Sequence, residues 1–160
     1  MVFTHDTEVA LAAAAALVNT APNPDTGDAE ELADVEDFDR FVRTWGWTGS
    51  RHRDKAELAA VHALRPRLRP IWDADVDGVV EIVNGLLREF QALPQLVKHD
   101  EWDYHLHATH PDAPLAARMA VEAAMALVDV VRAGELDRLR TCQAPDCQDV
   151  VVDLSKNRSK

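Results

Sequence analysis

The chain has 160 residues, of which 47% are hydrophobic, and 28 acidic against 17 basic side chains give it a formal net charge of −11. This length and composition suit one compact domain with a small appendage. The acidic excess argues against a body that binds nucleic acid or anionic membranes. The charge is uneven, because residues 1–131 carry −12 whereas the last six residues hold three basic side chains and no acidic one.

Residues 9–18 form an apolar run that is too short to cross a bilayer and follows acidic rather than basic residues. We therefore expect a cytoplasmic protein with no membrane partner. In that reducing compartment, two cysteines are expected to bind a metal or take part in redox chemistry rather than to form a structural disulfide.

Apolar residues spaced three and four apart predict five helices. Pro66 and Pro70 are expected to end or kink the third helix, because proline removes a backbone donor and crowds the preceding turn. Pro114 and Gly134 suit the two ends of the fifth helix. The predicted ranges are 7–20, 35–45, 54–68, 77–92, and 112 or 114 to 133.

Residues 95–108 change to a period of two, which predicts one β-hairpin. The alternation predicts a buried face of Val97, Trp102, Tyr104 and Leu106, and an exposed face of Lys98, Asp103, His105 and His107. Two imidazoles at 105 and 107 would share one side of a strand, a geometry that can bind metal. An exposed polar face is the favoured interpretation. The predicted fold is therefore mainly α with one hairpin, followed by a cysteine knuckle and a strand.

The two cysteines, Cys142 and Cys147, flank a short turn before the apolar segment 150–154. Thiolates are soft ligands that suit zinc, and four intervening residues let both reach one ion. A structural zinc site needs four ligands, so the pair alone indicates either half of such a site or two free, redox-active thiols.

Residues 73–78 place aspartates at alternate positions before a glycine, as in the first half of a calcium loop. The position of the bidentate glutamate is occupied by Asn84, so we favour helix capping by these aspartates instead. No phosphate-binding loop, nucleophile elbow or nucleophile–base pair is found in the sequence, and we expect a protein without enzymatic activity. Three polar residues that border apolar helical runs, Asn19, Arg65 and Asn84, are candidates for a small-molecule effector pocket.

Several motifs together resemble a known family. They are Leu-Val-Asn-Thr at 17–20, Leu-Arg-Pro-Arg-Leu-Arg at 64–69, Asn-Gly-Leu-Leu at 84–87, Pro-Asp-Ala-Pro-Leu-Ala-Ala-Arg at 111–118, and the segment 138–160 with its cysteine pair and basic end. The chain resembles the ABATE-domain proteins, bacterial stress-induced transcription regulators that end in a CGNR-type zinc finger. The segment 138–160 is the most specific part of the resemblance.

The resemblance implies a helical regulatory domain over 1–136 and the N-terminal half of a zinc finger over 137–160. It implies that Cys142 and Cys147 bind Zn²⁺, and that Lys156, Arg158 and Lys160 belong to a surface that meets DNA phosphates. The second cysteine pair of the family pattern is missing, so we expect a truncated or shortened chain with incomplete zinc coordination. Without metal closure, we also expect the segment after Cys147 to be poorly anchored.

The leading functional hypothesis is a transcription regulator whose body binds a small molecule, or a second copy of itself, and alters how the finger meets DNA. The alternatives are a stand-alone small-molecule-binding or protein-interaction module without a DNA role, and a thiol-redox protein that uses the cysteine pair.

Overall fold

The computed structural model describes residues 2–98 and 104–156. Within them the chain forms a helical body with two small antiparallel sheets, and the predicted mainly α fold with a hairpin and a C-terminal strand is confirmed. The helices are α1 (His5–Asn19), α2 (Val35–Thr44), α3 (Lys55–Leu68), α4 (Val76–Glu89) and α5 (Leu115–Ala133). The strands are β1 (Gln95–Val97), β2 (His105–His107), β3 (Leu139–Thr141) and β4 (Val150–Val152), and 3₁₀ turns cover Arg69–Trp72 and Leu136–Arg138.

Three helices begin at aspartates that cap them. The side chains of Asp34, Asp54 and Asp75 each accept a hydrogen bond from the backbone N–H three residues later, which satisfies a donor that the first helical turn leaves without a partner. Capping by the aspartates before Gly78 is therefore confirmed at Asp75. At its C-terminal end, α5 stops at Gly134, which adopts the left-handed conformation that glycine accepts most readily (φ 66°).

Pro66 neither ends nor visibly divides α3, which continues to Leu68. The proline lies in the last turn, where it removes one hydrogen bond of the helix and leaves the earlier turns intact. Pro70 lies in the 3₁₀ turn that follows. Burial of Leu68 and Ile71, each 1% exposed, holds both segments against the core and offsets the missing bond.

The core is built around α5, which packs against α1, α3 and α4. Small side chains dominate the buried faces of α1 and α5, and they allow the two helix backbones to approach closely. The buried alanines are Ala13, Ala14 and Ala15 in α1 and Ala120, Ala123, Ala124 and Ala126 in α5. Larger side chains, with Phe38 and Val79 fully buried among them, fill the space toward α2 and α4.

The hairpin forms as predicted, with Leu96 opposite Leu106 and Val97 opposite His105, but most of the predicted assignment of its faces is wrong. Leu106 is 46% exposed and Tyr104 is 71% exposed, whereas His105 and His107 are half-buried. β2 borders a large cavity that His105, Leu106 and His107 all line, so burial in an apolar core does not decide which of its side chains turn inward. Val97 is half-buried and Lys98 is exposed, as predicted; Trp102 and Asp103 lie outside the described residues.

The second sheet was only half predicted. The strand after the cysteines, β4, pairs with β3, which directly precedes them and which the sequence pattern did not reveal. The two cysteines therefore lie in the connection of a β-hairpin, and the sheet packs on α1 and on the 3₁₀ turn Arg69–Trp72.

A buried arginine ties the loop after α2 to the start of α5. Arg118 is 4% exposed and donates to the backbone carbonyls of Thr48, Ser50 and Ala113. Gly49 passes over this guanidinium at φ 89°. A Cβ atom at position 49 would lie 2.6 Å from the carbonyl oxygen of Pro111, closer than van der Waals contact permits.

We expect Gly49→Ala to lower the free energy of unfolding by about 2–4 kcal/mol, because left-handed strain adds to a clash with backbone. Urea denaturation followed by circular dichroism measures the loss. The matched control is Gly46→Ala, also at positive φ (68°) but with no atom within 4 Å of the added Cβ, for which strain alone predicts about 1 kcal/mol. Equal losses in the two variants would contradict close packing at Gly49.

Candidate functional site

A cavity of about 1240 Å³ lies between α1, α5, the β1–β2 hairpin and the loops that follow α2 and α4. Sites that bind drug-sized molecules are typically about 300–1,000 Å³, so this space can hold a substantial ligand. Its walls are mainly apolar. Aromatic side chains come from the loops, and small or aliphatic ones come from the helices: Val9, Ala10, Ala13, Trp45, Trp47, Phe90, Val121 and Met125.

Glu122 is the central ionisable group of the cavity wall. It is half-buried on α5, and burial raises its pKa to about 7, because the attraction of Arg118 only partly offsets the loss of water and Asp6 adds repulsion. Burial also lowers the pKa of Arg118. Among residues 2–98 and 104–156, no side chain or backbone group donates a hydrogen bond to the Glu122 carboxylate.

The two histidines of β2 contribute to the same cavity. Their Nε2 atoms lie 3.0 Å apart, and the rings meet edge to face. Metal sites generally need more ligands than two imidazoles. Within the described part of the chain, no group of three or more histidine, cysteine or carboxylate side chains could hold an ion.

None of Asn19, Arg65 and Asn84 lines the cavity, and each has a different environment. Asn19 lies at the end of α1 and bonds to β4. The Arg65 guanidinium forms a two-point ion pair with Glu30, at 2.6 Å for each N–O pair, and also donates to the hydroxyl of Thr20. Asn84 is exposed on α4.

Sequence reasoning missed the cavity, although one signal was present. Glu122 is the only charged residue between Arg118 and Asp129 in an otherwise apolar helix, and an isolated carboxylate on a buried helix face indicates a polar function or a partner. Only the three-dimensional structure shows that Glu122 lines the same cavity as Trp45 and Trp47.

Cys142 and Cys147 lie half-buried in the β3–β4 connection, within hydrogen-bond reach of each other. The backbone N–H of Cys142 donates to the backbone carbonyl of Asp149 at 2.8 Å. Asp146 adopts a left-handed conformation (φ 63°) that turns the chain back. Hydrogen bonds from the Ala144 N–H and the Cys147 thiol lower the pKa of Cys142, which favours the thiolate that binds metals.

These two sulfurs fit two of the four positions of a tetrahedral zinc site. No third ligand stands beside them in the described portion of the chain. Two thiolates are therefore chemically suitable zinc ligands, but the described residues supply two of the four ligands that a structural zinc site needs.

The segment after Cys147 is anchored to the body through residue 155, so the predicted poor anchoring is wrong for this part of it, whereas residues 157–160 lie outside the described residues. The side-chain amide of Asn19 donates to the Val150 carbonyl at 2.9 Å and accepts from the Val150 N–H at 2.8 Å. The Trp72 indole donates to the Val151 carbonyl at 3.1 Å. Val150 itself is 1% exposed, so packing and hydrogen bonds to the body replace the ordering that metal closure was expected to supply.

A buried arginine completes this attachment. Arg138 is 4% exposed and donates to the carbonyls of Asp153 and Ser155 at 2.9 Å each. Of the three basic residues predicted to meet DNA, Lys156 is exposed directly beyond this clamp. Arg158 and Lys160 lie outside the described residues.

Two protein-family models match the chain, each over a different segment. Residues 11–134 match ABATE, described as a putative stress-induced transcription regulator, and residues 138–160 match the CGNR zinc finger. The resemblance seen in the sequence is thereby confirmed. Comparison with curated proteins gives no match. Among the described helices, none combines the length and apolarity that a membrane span requires.

We expect Glu122→Gln to change how stability depends on pH. Folding raises the pKa of Glu122 from 4.5 to about 7, so the folded state binds the proton more tightly, and the associated stability is lost as the pH rises through about 7. Glutamine stays neutral, so the variant should gain up to about 3 kcal/mol over the parent above pH 8 and little below pH 4.

Urea denaturation at a series of pH values measures this difference. Glu81→Gln is the control, because it removes the same charge from an exposed position on α4. Parallel pH profiles for the parent and Glu122→Gln would contradict a strongly raised pKa at Glu122.

Proposed function

The chain belongs to the ABATE family, and on that premise we propose that it is a transcription regulator whose helical body senses a small molecule and whose cysteine-bearing segment contacts DNA. The observation that carries this proposal is the direct attachment of β4 to the end of α1 through Asn19. The proposed role consists of binding and regulation and involves no chemical reaction.

The first helix provides a physical connection between the two sites. Asp6, Thr7, Val9, Ala10 and Ala13 place its N-terminal half along the cavity, and its last residue, Asn19, holds Val150. A ligand that favours a different position of α1 relative to α5 would also displace the β3–β4 sheet. Such coupling requires that the ligand bind the two arrangements with different affinity.

The charge distribution supports a division of labour. The strongly acidic body is repelled by DNA, whereas the basic end of the chain can contact phosphates and supply affinity that is independent of sequence. Cys142 and Cys147 would hold zinc as thiolates. A bound zinc ion would cross-link the two ends of the β3–β4 connection.

The cavity by itself favours a second candidate function, a small-molecule-binding module without a DNA role. Its size, apolar walls and single raised-pKa carboxylate would be equally useful in such a protein. Binding of the whole chain to duplex DNA distinguishes the two functions.

We expect zinc-supplemented protein to bind a mixed-sequence duplex of about 30 base pairs, with affinity that falls steeply between about 50 and 200 mM salt. Lys156→Ala should weaken binding and reduce the slope of log affinity against log salt by about 1. Fluorescence anisotropy measures both quantities.

Lys55→Ala is the matched control, because it removes an exposed lysine from the start of α3, far along the chain from the basic end. It should leave the slope unchanged. Absence of duplex binding at low salt would contradict the regulator and favour the module.

We expect Asn19→Ala to loosen β4 while the body stays folded. The variant removes both hydrogen bonds to Val150, and the loss of about 1–3 kcal/mol should speed amide exchange at Val150 by about 10- to 100-fold. Hydrogen–deuterium exchange read by NMR measures the rate. Asn84→Ala, at an exposed position on α4, should leave it unchanged, and an unaffected Val150 amide in Asn19→Ala would remove the proposed connection.

A further inference from the structure

We propose that the cavity binds an organic cation with a bulky aromatic or aliphatic body, with its charge placed at Glu122. The regulatory meaning of this inference rests on the proposed sensing function, whereas binding itself does not. Three features of the cavity support this ligand class: its walls, the way its charged groups are already used, and the position of Glu122.

The walls favour an aromatic or apolar ligand body. Trp45, Trp47 and Phe90 line the space together with alanines of α1 and α5. Aromatic faces attract cations through the negative potential above the ring, and the attraction grows when water is excluded. A ligand that is both apolar and positively charged would use both properties of these walls.

Most charged groups of the cavity are already engaged. Arg118, the arginine of the cavity wall, donates from each of its three nitrogens to a backbone carbonyl. Asp129 accepts a hydrogen bond from the Thr7 hydroxyl at 2.7 Å, and Glu89 pairs with Arg67. An anionic ligand would therefore meet carboxylates and an arginine whose nitrogens are committed to the loop.

Glu122 differs from these groups, because no described residue donates a hydrogen bond to its carboxylate. Its repulsive neighbour on α1 is Asp6, and its attractive neighbour one turn earlier on α5 is Arg118. Both Glu122 and Asp6 line the cavity. Burial removes the water that would stabilise the ionised carboxylate of Glu122. A ligand cation would stabilise it instead, and this electrostatic attraction would contribute to the binding affinity.

The same geometry predicts that affinity for a cation rises with pH. Glu122 becomes ionised on passing through its pKa of about 7. The other ionisable groups along the cavity are Asp6, Glu89, Arg118 and Asp129 on the helices, and His105, His107 and His110 around β2. Because several ionisable groups share the cavity, the Glu122→Gln variant is needed to isolate the contribution of this carboxylate.

Two probes of closely similar shape and opposite charge test the inference: tetraphenylphosphonium and tetraphenylborate. Isothermal titration calorimetry with the full chain, at about pH 6 and about pH 8, should show tetraphenylphosphonium binding more tightly than tetraphenylborate by about tenfold or more at the higher pH. Glu122→Gln should lose about tenfold in cation affinity and much of its pH dependence. Glu81→Gln, exposed on α4, should behave as the parent.

Equal affinity for the two probes, undetectable cation binding, or unchanged cation affinity in Glu122→Gln would each overturn the inference. Circular dichroism confirms that each variant is folded. Failure of the proposed function is detected separately. A chain that binds the cation through Glu122 but shows no duplex affinity would retain this ligand class and lose the regulatory role, whereas duplex binding without cation selectivity would do the reverse.

Discussion

The close packing of α1 against α5 is the constraint on which the other features depend. Alanines on both buried faces bring the two helices together, and the cavity lies between these helices, the hairpin and the loops after α2 and α4. α5 carries Arg118 and Glu122 into that cavity wall, and α1 ends at the residue that holds β4. A bulky residue at Ala120 or Ala124, both fully buried, would therefore disturb the core, the cavity and the attachment of the second sheet together.

Three buried arginines carry out related structural tasks at the periphery of this core. Arg65 pairs with Glu30 and holds the acidic segment between α1 and α2, Arg118 holds the loop after α2, and Arg138 holds the chain beyond β4. A buried guanidinium is expensive unless its donors are used, and each of these three makes several hydrogen bonds to a loop. These hydrogen bonds hold the irregular segments in fixed positions against the helical core. Partial burial opposes ionisation of Glu30, the carboxylate partner of Arg65. The contacts with the arginine nevertheless keep the pKa of Glu30 below its usual value.

The five helices were predictable because their signals are local, although α4 ends at Glu89, three residues before its predicted end. Spaced apolar residues, aspartate caps and the glycine at 134 act within one or two turns. The faces of the hairpin were not predictable, because alternation shows which side chains lie together and not which group is turned inward. His105, Leu106 and His107 all border the cavity, yet the two histidines are half-buried whereas Leu106 is 46% exposed. Strand β3 was missed for a related reason: three residues beside a 3₁₀ turn carry little periodicity, and pairing with β4 alone makes them a strand.

The sequence by itself determined the helical class, the family and the pair of thiols suited to zinc, because composition, periodicity and motif spacing are properties of the chain read in order. Only the tertiary structure decided where binding can occur. Asn19, which borders an apolar run, holds a backbone strand through two hydrogen bonds, and Glu122 on α5 lines a cavity with aromatic residues from separate loops. Burial, desolvation and the neighbours that shift a pKa depend on residues distant in sequence, so they come into existence only when the chain is folded.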